Sequence, residues 1–240
     1  MLLIGGLMAV GLLAVSGAYG FHRDELYFIV AGRHPAFGYP DQPPLTPLLS
    51  AASAAVLGLT PTAVRVLPAL AMALVAVLTA LIACDLGGSR RAMLLAAITV
   101  AVSGYLAAGH LDDTAEYDLL AWAIILWLLV KLLAEGDRRL WLAVGLAAGI
   151  GLENKDTLLL LGAGLAVGFV LSRRWDVLRS PWAWAAIGIA LLLWAPDLAW
   201  QATQGFPQFT MASHIAGNAG DNRAQLVPLL WLFAARCCSR

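Results

Sequence analysis

Seven apolar runs, at residues 2–20, 62–84, 92–109, 117–134, 140–154, 157–171 and 182–199, divide the chain almost from end to end. A helix needs about 20 mainly apolar residues to cross a hydrocarbon core about 30 Å thick. Most of these runs approach that length, and no soluble fold spends its sequence in this way. Hydrophobic residues make up 61% of the 240 and charged residues 12%, where a soluble domain carries roughly 25% charged residues. Too few polar side chains remain to cover a globule. A soluble domain, a disordered chain and a disulfide-rich secreted module are therefore excluded. Lys+Arg and Asp+Glu number 15 each, so no basic field points to nucleic acid. Cys84, Cys237 and Cys238 fit neither a zinc nor a redox spacing. The expectation is an all-α, polytopic transmembrane helical bundle. It forms a single domain over residues 1–240, with about seven full spans.

The first run lacks a basic leader and a clear cleavage site, so it reads as an uncleaved helix rather than a removed signal peptide. The runs at 140–154 and 157–171 are short and meet at Glu153-Asn154-Lys155-Asp156. A helical hairpin with this patch at its tip avoids burying charge in lipid, which one long helix would require. Residues 45–59 are apolar but short, with Pro43, Pro44 and Pro47 at the start and Gly58 and Pro61 near the end. If they do not span, Arg90, Arg91, Lys131, Arg138, Arg139, Arg173, Arg174 and Arg179 share one side of the membrane. Arg23, Arg33, Arg65, Lys155 and Arg223 lie on the other. Cytoplasmic loops carry the excess of Lys and Arg. The rule thus places 45–59 in the outer interface, within a first outer loop of interfacial helices at 21–61. It puts the N-terminus in the cytoplasm, and the multi-pass chain is expected in the plasma membrane. The last residues, 225–240, read as an incomplete eighth span, as in a C-terminally truncated chain.

This topology sorts the carboxylates. Asp85, Glu135, Asp137 and Asp176 face inward, and the other eleven face outward. Acids also collect wherever cations are disfavoured, but a carboxylate-rich outer face at membrane level is where chemistry is to be sought. Asp24-Glu25 follows the first span directly. The pair either caps a helix start or supplies a general base whose pKa low-dielectric surroundings raise. Asp41, in GYPDQPPLTPLL, either caps the next helix or faces a substrate or cation near Asp24. His110, Asp112, Asp113, Glu116 and Asp118 form a short outer loop whose oxygens suit a divalent cation, although a solvated acidic loop is the simpler reading. Asp118 differs from its neighbours because it opens a membrane helix and must face protein or water. Lys155 is the lone outer lysine, paired either with Glu153 or Asp156 or with a ligand phosphate. Arg65 either snorkels to headgroups or contacts substrate. Asp197 ends the seventh run among Trp194 and Trp200, which read as interface anchors. No dinucleotide, Walker, nucleophile-elbow or HExxH motif is present.

A first span followed by Asp24-Glu25, then GYPDQPPLTPLL, then Arg65 near the next span, resembles the family 39 glycosyltransferases. These are the protein O-mannosyltransferase and aminoarabinose-transferase relatives of the GT-C membrane fold. The resemblance continues through SRRAMLLAA, YDLLAWAIILWLLV, GDRRLWLAVGLAAGIGLENKDT and the W-x-P-x-L-x-W-Q run at 194–201. It implies a glycosyltransferase that moves a sugar from a polyprenyl-phosphate donor to a lipid, glycan or protein acceptor on the outer face, by inverting single displacement. It implies catalysis by Asp24, with Glu25, Asp41, Arg65, Asp118 and Lys155 as substrate or cation contacts and a divalent cation as a possible cofactor. Tyr27 and Gln42 stand where the aminoarabinose branch carries basic residues, so the resemblance assigns no phosphate contact there. The chemistry is self-consistent, because a sugar phosphodiester already holds a stabilised leaving group. One carboxylate base then suffices, with positive charge for the departing phosphate. The alternatives are a catalytically inactive fragment or scaffold of such an enzyme, and a lipid or small-molecule transporter. Neither an internal repeat nor a mid-span acid favours the transporter.

Overall fold

A computed structural model describes residues 1–103 and 109–218. The described residues form twelve helices and no strand. Two groups of helices share one central element, α7 (Thr114–Glu135). In the first group, α1 (Leu2–Ser16) lies along α5 (Val66–Asp85), with Met8 and Leu12 against Ala69, Met72 and Ala76. α5 also meets α6 (Arg90–Ala101), whose Val100 and Ala101 pack on the same cluster, and its Val75 and Leu78 meet Ala123 of α7. In the second group, α7 packs on α8 (Leu140–Leu152), which in turn packs along α11 (Pro181–Thr203) through Ile125, Leu129, Trp141, Val144 and Ala186.

The α8–α11 contact depends on absent side chains. A Cβ on Gly145 would lie 2.7 Å from the Ala186 Cα, and one on Gly149 would lie 2.7 Å from the Leu193 Cβ. Small residues four apart let two apolar helices approach backbone to backbone, the main source of association where lipid removes the hydrophobic drive. The outward faces remain apolar. Leu2, Leu160, Leu171 and Leu192 are all exposed, an arrangement stable in hydrocarbon rather than water.

Three helices are long and apolar enough to cross a membrane: the α4–α5 unit from Pro61 to Asp85, α7 and α11. Here α4 is Pro61–Val64, capped by the Thr60 hydroxyl on the Ala63 N–H. The expectation of about seven full spans is thus met at full length by three among the described residues. The others stop short for local reasons. α8 ends in the Gly151–Asn154 turn, and α9 (Leu158–Leu171) ends where Arg173 turns to φ 55°. The expected run at 92–109 forms α6 only to Ala101, and residues 104–108 lie outside the described set. So do residues 225–240, on which the incomplete span was placed.

Two short helices, α2 (Arg23–Gly32) and α3 (Leu45–Leu57), occupy the loop at 21–61. Thirteen residues reach about 20 Å, well under the core thickness. They pack closely at Gly32, where a Cβ would strike the Pro47 carbonyl and lie 2.7 Å from the Ala51 Cβ. The small α10 (Trp175–Leu178) links α9 to α11, and α12 (Pro207–Asn218) follows it.

Candidate functional site at the outer loop

The anchor of the first loop is an ion pair. The Arg65 Nε donates to Glu25 Oε1 at 2.7 Å and its Nη2 to Glu25 Oε2 at 2.8 Å. Both side chains are out of solvent, at 1% and 0% exposure. Arg65 also donates to the Ser16 and Gly20 carbonyls and stacks 4.0 Å over the Tyr19 ring. Glu25 in turn accepts from the His22 N–H at 2.8 Å and the Asp112 N–H at 3.2 Å. Burial of a charge is tolerable only when it is paired and hydrogen-bonded, and this pair meets both conditions. Of the two readings of Arg65, snorkelling does not hold: its head points into the protein, where the end of α1, the start of α2 and the loop before α7 meet. Glu25 completes the capping box of α2, whose N-cap is His22, and neither Glu25 nor Arg65 has a face open to a substrate.

The loop before α7 is not solvated, contrary to expectation. Asp112 is 1% exposed and accepts from the Ser50 hydroxyl of α3 and from the Tyr117 hydroxyl at 2.9 Å. Burial pushes its carboxyl up to about 7; the Ser50 and Tyr117 hydrogen bonds oppose this, and the charges of Glu25 and Asp113 add to it. Asp113 caps α7, and Glu116, fully buried, accepts from the Asp113 N–H at 2.7 Å in a reciprocal capping box. The hydrogen bonds to Ser50, Tyr117 and Glu25 and the capping box make this loop a structural joint, and among the described residues no group of three His, Cys, Asp or Glu side chains is placed to hold a metal ion together.

The tip between α8 and α9 docks on the same joint. Asn154, 1% exposed, accepts from the Thr46 hydroxyl at 2.5 Å and donates to the Thr114 carbonyl at 2.9 Å. The Leu45 N–H donates to the Glu153 carbonyl at 2.8 Å. The Thr157 hydroxyl donates to Asp118 Oδ2 at 2.9 Å, which satisfies one oxygen of the carboxylate at the head of α7. Lys155 is half-buried and, among the described residues, makes no ion pair with Glu153 or Asp156. Burial also raises the Glu153 carboxyl, to about 7 with the Asp197 charge beside it, and raises Asp156.

Asp24 sits in the first turn of α2, 43% exposed, where the helix dipole favours its charge. Its partners are Arg23 at 3.1 Å, itself 87% exposed, and the His22 ring. Asp41 does not cap α3, whose N-cap is Pro44 without a side-chain bond. It instead accepts from the Tyr27 hydroxyl at 2.6 Å, and burial followed by the Asp41 contact raises the Tyr27 phenol. Asp24 and Tyr27 are three residues apart on one face of α2. The loop carrying Asp41 is joined to the tip carrying Lys155. Asp24 thus lies on α2 with Asp41 beside it, Lys155 belongs to the tip that docks on the start of α3, Asp118 is bonded to that tip, and Glu25 and Arg65 are buried.

Sequence reasoning missed Asn154, the hinge pin of the tip, and the burial of Asp112. Asn154 had no signal of its own. The Asp113-Thr-Ala-Glu116 spacing is a capping-box pattern that points to an ordered, not solvated, loop.

The sequence profile of the dolichyl-phosphate-mannose-protein mannosyltransferase family matches residues 41–200. The match takes in Asp41, Arg65, Asp118, the tip with Lys155 and nearly all of α11, and begins after Asp24 and Glu25. No match was found among curated proteins or solved structures. A match that covers two thirds of the chain and runs through its helical core shows the family: the chain belongs to the dolichyl-phosphate-mannose-protein mannosyltransferases, a family of membrane glycosyltransferases.

Proposed function

We propose that the chain carries the donor and base sites of a glycosyltransferase that uses a polyprenyl-phosphate-linked sugar at the outer face of a plasma membrane. The topology is seven passes, with the shorter helices α1, α6, α8 and α9 crossing beside the three long ones. The N-terminus is cytoplasmic. The observation that carries the reading is the buried Glu25–Arg65 pair. It fixes the first turn of α2 against α1 and α5 and leaves the adjacent carboxylate, Asp24, turned to the surface with only exposed partners. An exposed Arg–Asp pair contributes little and is displaced at little cost.

In the proposed reaction the Asp24 carboxylate takes the proton from the acceptor hydroxyl. The hydroxyl oxygen forms a bond to the anomeric carbon as the bond from that carbon to the phosphate oxygen breaks, and the configuration inverts. The polyprenyl phosphate leaves with the electron pair, its charge met by Lys155, whose ammonium is in no ion pair among the described residues. Tyr27 and Asp41, bonded to each other, border the acceptor side. Asp118, fixed by Thr157, steadies the tip. A lipid-linked donor also fits an apolar cavity of about 510 Å³ between α7, α8, α9 and α11. Leu152 and Leu158, on either side of the Lys155 tip, line it, as do Leu129, Val144 and Gly162. A polyprenyl chain would lie there with its phosphate at the tip.

The test is transfer from a polyprenyl-phosphate sugar by the membrane-inserted chain. Asp24→Asn keeps size and most hydrogen bonding, and should lower the rate by roughly 10²–10⁴-fold, the usual contribution of a positioned base. Transfer at the parental rate by Asp24→Asn would overturn the assignment.

A further inference from the structure

The crevice between the 153–157 tip and the outer end of α11 holds three carboxylates that the transfer reaction does not use. Asp197 lies deepest, at 1% exposure, and among the described residues neither of its oxygens has a hydrogen-bond partner. The Trp194 indole and the Gln201 amide face it without closing a bond. The Gln201 Nε2 is spent on the Tyr39 carbonyl at 3.1 Å, and the Trp194 Nε1 has no partner. Nearer the surface, Glu153 Oε1 and Asp156 Oδ1 are likewise buried and unpartnered. The three groups feel one another's charge. Gly38 roofs the crevice, since a Cβ there would strike the Asp197 carboxylate and lie 2.7 Å from the Trp200 ring.

Four buried carboxylate oxygens without a donor are costly, because nothing replaces the water they have lost. At the end of a membrane helix the cost is higher still. No protein cation resolves it, since none of the three acids is in an ion pair among the described residues. The donor set is all oxygen, without the sulfur or imidazole that would suit a softer metal, so it selects a hard ion. No three of these side chains are placed to hold a metal together, and that narrows the choice further. Mg²⁺-like ions dehydrate reluctantly, keep several waters and need only one or two carboxylates. Glu153 and Asp156 are half-buried, and the unpartnered oxygens around Asp197 are acceptors for such an ion's waters.

We propose that this crevice binds one hydrated divalent cation, with Asp197 as its inner anchor and Glu153 and Asp156 as outer partners. The inference is independent of the transfer reaction, and its test needs no activity. The full chain in detergent, stripped with EDTA, is titrated with Mn²⁺ and followed by electron paramagnetic resonance, with Mg²⁺ as competitor. The expected result is one saturable site that Mg²⁺ displaces. Asp197→Asn and Glu153→Gln should each weaken it by at least roughly tenfold, the lower end of what losing even an outer-shell partner costs. Asp137→Asn, on a loop far along the chain, should leave it unchanged. Asp197→Asn removes a buried unpaired charge and should fold; metal-free thermal unfolding checks this, and Glu153→Gln decides if it does not. Absence of a saturable site, or a site of unchanged affinity in both variants, overturns the proposal.

Discussion

The Arg65 guanidinium meets the Glu25 carboxylate through two parallel hydrogen bonds, 2.7 and 2.8 Å long, in a space closed to solvent. Forty residues separate the partners in sequence, and their pairing ties the loop at 21–61 to the α4–α5 unit. A buried pair of this kind stabilises little relative to apolar residues of similar shape, yet removing one partner strands the other. Arg65→Met should therefore destabilise the protein by about 3–5 kcal/mol. Arg65→Met with Glu25→Leu should recover part of that loss. Thermal unfolding in detergent measures both. A substrate-binding role would instead leave stability intact and change only the donor KM.

Asp112 gives the loop a pH dependence of defined sign. Its carboxyl lies near 7 in the folded protein because it is buried and near 3.9 in an unfolded chain, to about one unit. The unfolded state thus loses its proton first as pH rises. Stability from this group falls across about pH 4 to 7 and is level above, a difference of at most a few kcal/mol. Asp112→Asn should flatten that slope and raise the melting temperature relative to the parent more at pH 8 than at pH 5. Equal shifts at both pH values would mean that Asp112 stays ionised throughout.

The close crossing of α8 and α11 gives a third expectation. Gly145→Leu drives a side chain into the Ala186 backbone and should cost about 1–3 kcal/mol through overpacking. It should also shift the Lys155 tip that α8 carries. Gly162→Ala, on α9, meets nothing within 4 Å and should be neutral or slightly stabilising through helix propensity. Unfolding and transfer measured on the pair separate packing from propensity.

The helices and their order were legible because apolar run length is a strong signal, and the tip at 153–156 was legible because four polar residues interrupt two such runs. Packing was not. When a helix is apolar on every side, periodicity no longer marks the face that meets protein. Nothing along α7 announced that it serves two helix groups. The site split in the same way. Asp24, Asp41 and Lys155 stood out because charge at membrane level is rare. The partners that decide which acids are free lie far off in sequence: Arg65 for Glu25, Ser50 for Asp112, and Thr46 for Asn154. A pairwise contact across 40 to 108 residues leaves no local trace, so the buried acids of the loop before α7 read as solvated.

Lys155 carries the last expectation. Its backbone is fixed, since Asn154 is pinned by Thr46 and Thr114 while Thr157 holds Asp118. Among the described residues its ammonium makes no ion pair, although Glu153 and Asp156 flank it in sequence, and this leaves it free to meet a phosphate. A hydrogen bond to a charged group contributes about 1.5–3 kcal/mol. Lys155→Ala should therefore raise the apparent KM for the polyprenyl-phosphate sugar by roughly 10- to 100-fold and leave the acceptor KM near the parental value. Lys155→Arg, which keeps the charge but presents a planar fork, should recover part of the loss. If Lys155 only snorkels to headgroups, Lys155→Ala will change neither constant, and the phosphate contact must be sought at Arg23 and Arg33 first.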